Sequence, residues 1–267
     1  MLIGILVCLA SAVIQTLSFV SSRRFIVAGH GNPFRLLAMG HVLMGLLAAV
    51  VFPFFWHALL LDIHRWLWLT LAASAFYLFG QVFFMIALRR SDSSRVAPLL
   101  ALKMPAVAVV TILVLRDVIN MWQWLAVGIA VAAAFVLNRI GGTLPKQTVL
   151  SILLAVCSFA MCDVVIVALI DACMEDAAGA TRFAAATRAV CVTYMLCGLG
   201  AALLLPWLGA RKRRAWLYAA PYACAWLPSM YLFYMALSLI GPVLGNIVIS
   251  TRGLWAIVLG ALIAKAG

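Results

Sequence analysis

Apolar residues along this chain collect into nine long runs, at 1–20, 36–57, 66–88, 96–115, 121–138, 148–170, 184–208, 216–239 and 242–264. Short connections containing Pro, Gly, Asp or Arg separate them. A helix rises 1.5 Å per residue, so about 20 apolar residues cross a hydrocarbon core of roughly 30 Å. Each run is near that length, and the pattern predicts an all-α, polytopic membrane protein with nine transmembrane helices. No Lys or Arg precedes the first run. Although Ala10-Ser11-Ala12 has the form of a cleavage site, that run is expected to stay as the first helix.

A longer repeat lies over the runs. An offset of 149 residues superposes Val7-Cys8 on Val156-Cys157, Phe84-x-x-Ala87-Leu88 on Phe233-x-x-Ala236-Leu237, and Lys103 on Arg252. The offset predicts two copies of one unit, 1–138 and 148–267. The connection 139–147 between them, with two glycines, a proline and two cations, reads as a linker. Five runs fall in the first copy and four in the second. A partner for 121–138 would lie at 270–287, past the last residue, so the tenth helix is expected to be absent and the chain to be a fragment. An odd number of helices per copy turns the second copy upside down relative to the first, which gives inverted five-helix repeats.

Composition narrows the class. The 267 residues are 67% hydrophobic and 10% charged, with a mean hydropathy of +1.18. That leaves too little polar surface for a soluble domain. The net charge of +12 would otherwise suggest nucleic acid, but the cations lie in short connections, without a basic face or interleaved aromatics. No nucleic-acid partner is expected. Thirteen of the 19 Lys and Arg residues lie in alternate connections (21–35, 89–95, 139–147, 209–215 and the tail) and three in the others, which predicts an outside amino terminus. The seven cysteines form no C-x-x-C pair and no metal-ligand spacing, so neither metal nor cofactor is expected.

Lys103 and Arg252 are the strongest candidates for function. Each lies within one to two turns of the middle of its run, where a charge costs roughly 2.5–3.5 kcal/mol to insert. Pro105 interrupts the hydrogen-bond ladder beside Lys103, while Gly245 and Gly253 loosen the helix around Arg252. Two readings stay open: the cations attract the anionic group of a substrate, or each pairs with a buried acid. Asp163 is the one acid well inside a run and cannot neutralise both. Asp163 itself is expected to bridge to Arg188 on the next run, with proton coupling as the alternative role.

Tyr77 and Gln81 share a helix face with Phe84, and the offset gives them Trp226, Met230 and Phe233 as counterparts. These stripes line a substrate cavity or pack helices together. Asn246 faces a substrate or a neighbouring helix. His41, one turn into its run, is expected at the interface. His57-Ala-Leu-Leu-Leu-Asp62 matches the H-x4-D pattern of lipid acyltransferases, without any further block of that kind; no P-loop, nucleophile elbow or metal cluster is present.

The stretch from Phe84 to Leu137 resembles EamA-type members of the drug/metabolite transporter superfamily. The resemblance rests on Ala87-Leu88, the small-residue turn Ser91 to Arg95, Pro105, an acidic turn at Asp117, and Gln123-Trp124-Leu-Ala-Val-Gly128. The usual Gly-Glu of that turn is Arg116-Asp117 here, and the outside amino terminus reverses the more usual orientation. The resemblance implies ten helices in two inverted repeats around a central cavity, with the fifth and tenth at the periphery. It also implies a multi-pass protein of a bacterial inner membrane.

The expected function is secondary transport of a small anionic or zwitterionic metabolite by alternating access. Lys103 and Arg252 would bind its negative group, and Tyr77, Gln81, Trp226 and Asn246 would shape the site, with Asp163 the candidate for ion coupling in the alternative to its bridge with Arg188. One alternative is an exporter of neutral or cationic compounds with structural cations. Another, of a different class, is a membrane-embedded lipid-modifying enzyme using His57 and Asp62. The flanks at the fifth and missing tenth helices leave room for a homodimer.

Overall fold

Within a bilayer a chain must satisfy its own backbone polar groups, so long apolar runs become helices. The computed structural model describes residues 1–29, 32–90, 99–116, 118–140, 145–174, 182–209, 213–255 and 258–259. Among these, every regular element is helical: α1 (Leu2–Val27), α2 (Pro33–Val51), α3 (Ile63–Arg90), α4 (Lys103–Val110), α5 (Met121–Ile140), α6 (Lys146–Ala172), α7 (Arg182–Leu208) and α8 (Arg213–Ile249). Six stretches are long and apolar enough to span a membrane: α1, Pro33–Phe55, Ile63–Ala87, α6, α7 and α8. The protein is an integral, multi-pass membrane protein. The turn Ser91 to Arg95, Asp117 and residues 141–144 of the 139–147 connection lie outside the described residues.

Local chemistry sets several boundaries. Asn32 caps α2 by accepting from the Arg35 amide at 2.9 Å, with Pro33 in the first turn. Asn120 and Gln123 exchange side-chain to backbone bonds, each 2.9 Å, at the start of α5. Gln123 of the Gln-Trp motif is thus a helix cap.

Three of the predicted runs differ from expectation. The run 96–115 is a composite: a 3-10 turn at Leu100–Leu102, α4, then a π turn at Thr111–Leu115. Pro105 has no N–H to give the Ala101 carbonyl, which accepts instead from the Lys103 amide in the tighter turn. The runs 216–239 and 242–264 meet without a polar loop, because α8 breaks at Gly241, where φ is +76° and ψ is 166°. Only glycine adopts that backbone readily. Eight residues of straight helix would span about 12 Å, yet a Cβ at Gly245 would sit 2.8 Å from the Leu237 side chain. The arm after Gly241 therefore folds back on the arm before it.

The helices pack in pairs. α1 lies along α8, α3 along α6, and α2 crosses α7. α1 runs antiparallel to the first arm of α8, with Ser11 Oγ donating to the Ser229 carbonyl at 2.7 Å and Phe19 meeting Trp226. Cys162 Sγ donates to the Ala73 carbonyl at 3.4 Å, and Gly80 receives the Phe159 ring, so α3 and α6 are also antiparallel. α4 and α5 join a small cluster through Met104, Val107, Ala108 and Val127, packed with Ala160 of α6 and Val243 of α8.

Lipid is as apolar as leucine, so these pairs are held by close packing and polar contacts rather than by a hydrophobic drive. At the α2–α7 crossing, a Cβ on Gly45 would lie 2.9 Å from Gly198 Cα, and one on Gly198 would lie 2.8 Å from Gly45 Cα. Gly45→Val is expected to cost about 1–3 kcal/mol through overpacking, read as a lower thermal unfolding midpoint in detergent. Gly128, on α5 with open space around it, is the contrast: Gly128→Ala should hold or raise the midpoint, by up to about 1 kcal/mol of helix propensity.

Candidate functional site

α4 delivers Lys103 to α6. Its ammonium meets Asp163 Oδ2 at 2.6 Å, with the two side chains 17% and 5% exposed. Asn246, in the second arm of α8, donates to the same Oδ2 at 2.5 Å and to the Pro242 carbonyl at 2.8 Å. One carboxylate thus ties three elements together. Lys103 also sits over Phe159 and Phe233, 5.7 and 5.8 Å from their centroids.

Arg252 lies against the middle of α1. Its guanidinium donates to Gln15 Oε1 at 2.8 Å and stacks over Phe19 at 5.8 Å. The Asp163 carboxylate acts on Arg252 electrostatically as well. Two cations and one acid therefore converge in one region.

Aromatic rings join the cations. From Phe159 under Lys103, Tyr77 follows at 6.5 Å between centroids and Tyr194 at 5.9 Å. Trp226 Nε1 donates to the Tyr194 hydroxyl at 2.9 Å, and the Trp226 ring meets Phe19 at 6.2 Å, back beneath Arg252. Tyr77, Gln81, Trp226, Asn246 and Asp163 are all buried.

Two expectations are corrected. Asp163 pairs with Lys103 and Asn246 rather than bridging to Arg188. Arg188 donates instead to the Phe55 and Cys173 carbonyls, at 2.8 and 3.2 Å, anchoring the turn after α2 and the end of α6. His41 is fully buried rather than interfacial. Its Nδ1 donates to the Leu37 carbonyl at 2.7 Å, since a carbonyl only accepts, and in the neutral ring Nε2 is left to accept from the Tyr77 hydroxyl at 3.1 Å. His57 and Asp62 lie in the connection between α2 and α3, where their carbonyls accept from the Leu60 and Arg65 amides.

Gln15, Phe19, Phe159, His41 and Tyr194 join the site without having been singled out as binding residues. Gln15 did carry a signal. It is an amide in the middle of an apolar run, and the 149-residue offset puts it one position from Asp163. The aromatic residues carried none that separates a site from ordinary packing.

The sequence profile of the EamA-like transporter family matches residues 2–139, from α1 through α5. The chain belongs to this family. No curated protein matches it. EamA-like proteins are membrane transporters of the drug/metabolite type, and the six apolar spans agree with that class. Transport, rather than lipid chemistry at His57 and Asp62, is the activity to which the EamA-like fold belongs.

The ion pair makes a testable claim. Breaking a buried pair from one side strands a charge and costs about 3–5 kcal/mol, whereas replacing both partners by apolar groups is often close to neutral. Lys103→Met should therefore be strongly destabilising, and Lys103→Met/Asp163→Leu should recover most of the loss. A double-mutant cycle read by chemical unfolding in detergent checks this. Losses that simply add would rule out the coupling.

Proposed function

We propose that this protein is a secondary transporter for a small anionic or zwitterionic metabolite, bound between Arg252 and Lys103. The observation that carries this reading is the charge balance: two cations face a single carboxylate, and the guanidinium of Arg252 bonds a neutral amide, Gln15. A substrate carboxylate or phosphate supplies the missing negative charge, and a planar guanidinium holds it through two hydrogen bonds. Tyr77, Gln81, Trp226 and Asn246 shape the remainder. The aromatic arc between the cations suits a substrate with an apolar or planar body.

Asp163 is the proposed coupling group. A proton on its carboxylate cancels the negative charge, releases Lys103 and raises the positive charge of the site. Proton and anion then bind cooperatively, which favours their movement in the same direction.

The transport cycle we infer is alternating access between inverted repeats, 1–138 and 148–267. The packing supports it. The 149-residue offset carries the α1–α8 pair onto the α6–α3 pair, and it relates Gly45 to Tyr194, whose backbone approaches it in the α2–α7 crossing. Each cation also clasps the first helix of the other half: Lys103 holds α6 and Arg252 holds α1. Rocking one half against the other must break one clasp or both.

A second reading, export of neutral or cationic compounds with structural cations, draws on the short Lys103–Asp163 pair. Uptake of a mixed metabolite pool into proteoliposomes, read by mass spectrometry, separates the two. Wild-type protein should accumulate organic anions or amino acids, and Arg252→Gln should lose at least about tenfold, since a charged hydrogen bond contributes about 1.5–3 kcal/mol. Asp163→Asn should abolish the dependence on a pH gradient. Equal transport of the same compounds by Arg252→Gln would leave the second reading standing.

A further inference from the structure

A cavity of about 310 Å3 lies between α2 and α8 and shares no lining residue with the charged site. On α2 its wall is Leu43, Leu46, Leu47 and Val50, which recur on one helix face. On α8 the opposing residues are Ala220, Ala223 and Cys224. Long side chains facing short ones leave a groove. Leu46 and Val50 are 60% and 68% exposed, so the groove opens toward the hydrocarbon.

One end of this groove leads to a basic mouth. Arg35, in the first turn of α2, donates from Nε to the Leu208 carbonyl at 2.8 Å, just before α8 begins. Further along, Gly40 lies against the Tyr222 ring. α2 and the first arm of α8 therefore run side by side in the same direction. Antiparallel to that arm, α1 brings Arg23 and Arg24 to the same end as Arg213 and Arg214. The connections 21–35 and 209–215 carry seven Lys and Arg residues and no acid.

The spacing fits one molecule. From Arg213 to Ala220, and from Arg35 to Leu43, the helices rise roughly 10–12 Å. That is the drop from a headgroup to the acyl region of a leaflet about 15 Å deep. We propose that the groove and its basic mouth bind an anionic phospholipid, with the phosphate against Arg213 and Arg214 and an acyl chain between α2 and α8. The charge selects the lipid: a zwitterionic headgroup brings its own ammonium to a mouth whose two connections carry no acid in sequence, and an anionic one does not.

The test is native mass spectrometry of the full chain, extracted from vesicles containing equal amounts of phosphatidylglycerol and phosphatidylethanolamine. Wild-type protein should retain phosphatidylglycerol in roughly tenfold preference. Arg213→Gln/Arg214→Gln should lose that preference, whereas Lys146→Gln, an exposed cation away from the groove, should keep it. Cys224→Trp fills the groove from an exposed position and leaves every cation in place; it should lose the bound lipid, while Leu199→Trp on the lipid-facing side of α7 should not. Equal retention of both lipids by the wild type overturns the proposal. So does undiminished phosphatidylglycerol on Cys224→Trp, which would assign the effect to surface charge alone.

Discussion

The carboxylate of Asp163 is the constraint on which the centre of this protein depends. A lone ammonium in a low-dielectric interior is costly, and so is a lone carboxylate. Placed 2.6 Å apart, each makes the other tolerable. The arrangement fixes more than a pair, because Asn246 holds the same oxygen from a third element. Segments 60 and 83 residues away from Asp163 in sequence meet at one atom. That meeting adds a polar tie to α4, a short helix whose Met104, Val107 and Ala108 are packed against its neighbours.

Around the pair, the protein uses rings rather than further charges. Phe159 and Phe233 face Lys103, and Phe19 faces Arg252. Ring faces stabilise a cation while adding no ionisable group. The total charge therefore stays unbalanced, a circumstance that matters for any molecule brought into the region. His41, Tyr77, Tyr194 and Trp226 complete the surround with hydrogen bonds made to one another, so their polar atoms do not compete for the cations.

Much of this was legible in the sequence. Helical character, membrane class and the family came from apolar runs and from short motifs such as Gln123-Trp124, because these depend on length and local chemistry. The convergence of Lys103, Asp163 and Asn246 was not legible. A charge inside an apolar run announces that it needs a partner, but it does not say which helix supplies one. Arg188 shows this from the other side: it is adjacent to Asp163 in the order of helices, yet it bonds backbone carbonyls at one end of the bundle. For His41, nearness to a helix start does not fix depth, and the α2–α7 crossing buries it. Pro105 announces a break in its helix, but not how far the irregular backbone extends on either side.

The reversal at Gly241 sets a strict condition on the second arm of α8. A surface loop between two helices takes up added or missing residues with little effect. Here the turn is one residue, with proline directly after it, and there is no slack to absorb a change. Each residue added or removed there would rotate the second arm by about 100° and shift it about 1.5 Å. Asn246 would swing off Asp163, and Arg252 off Gln15, in the same motion. The chain length of this turn is therefore part of the charged site, although Gly241 brings no side chain to it.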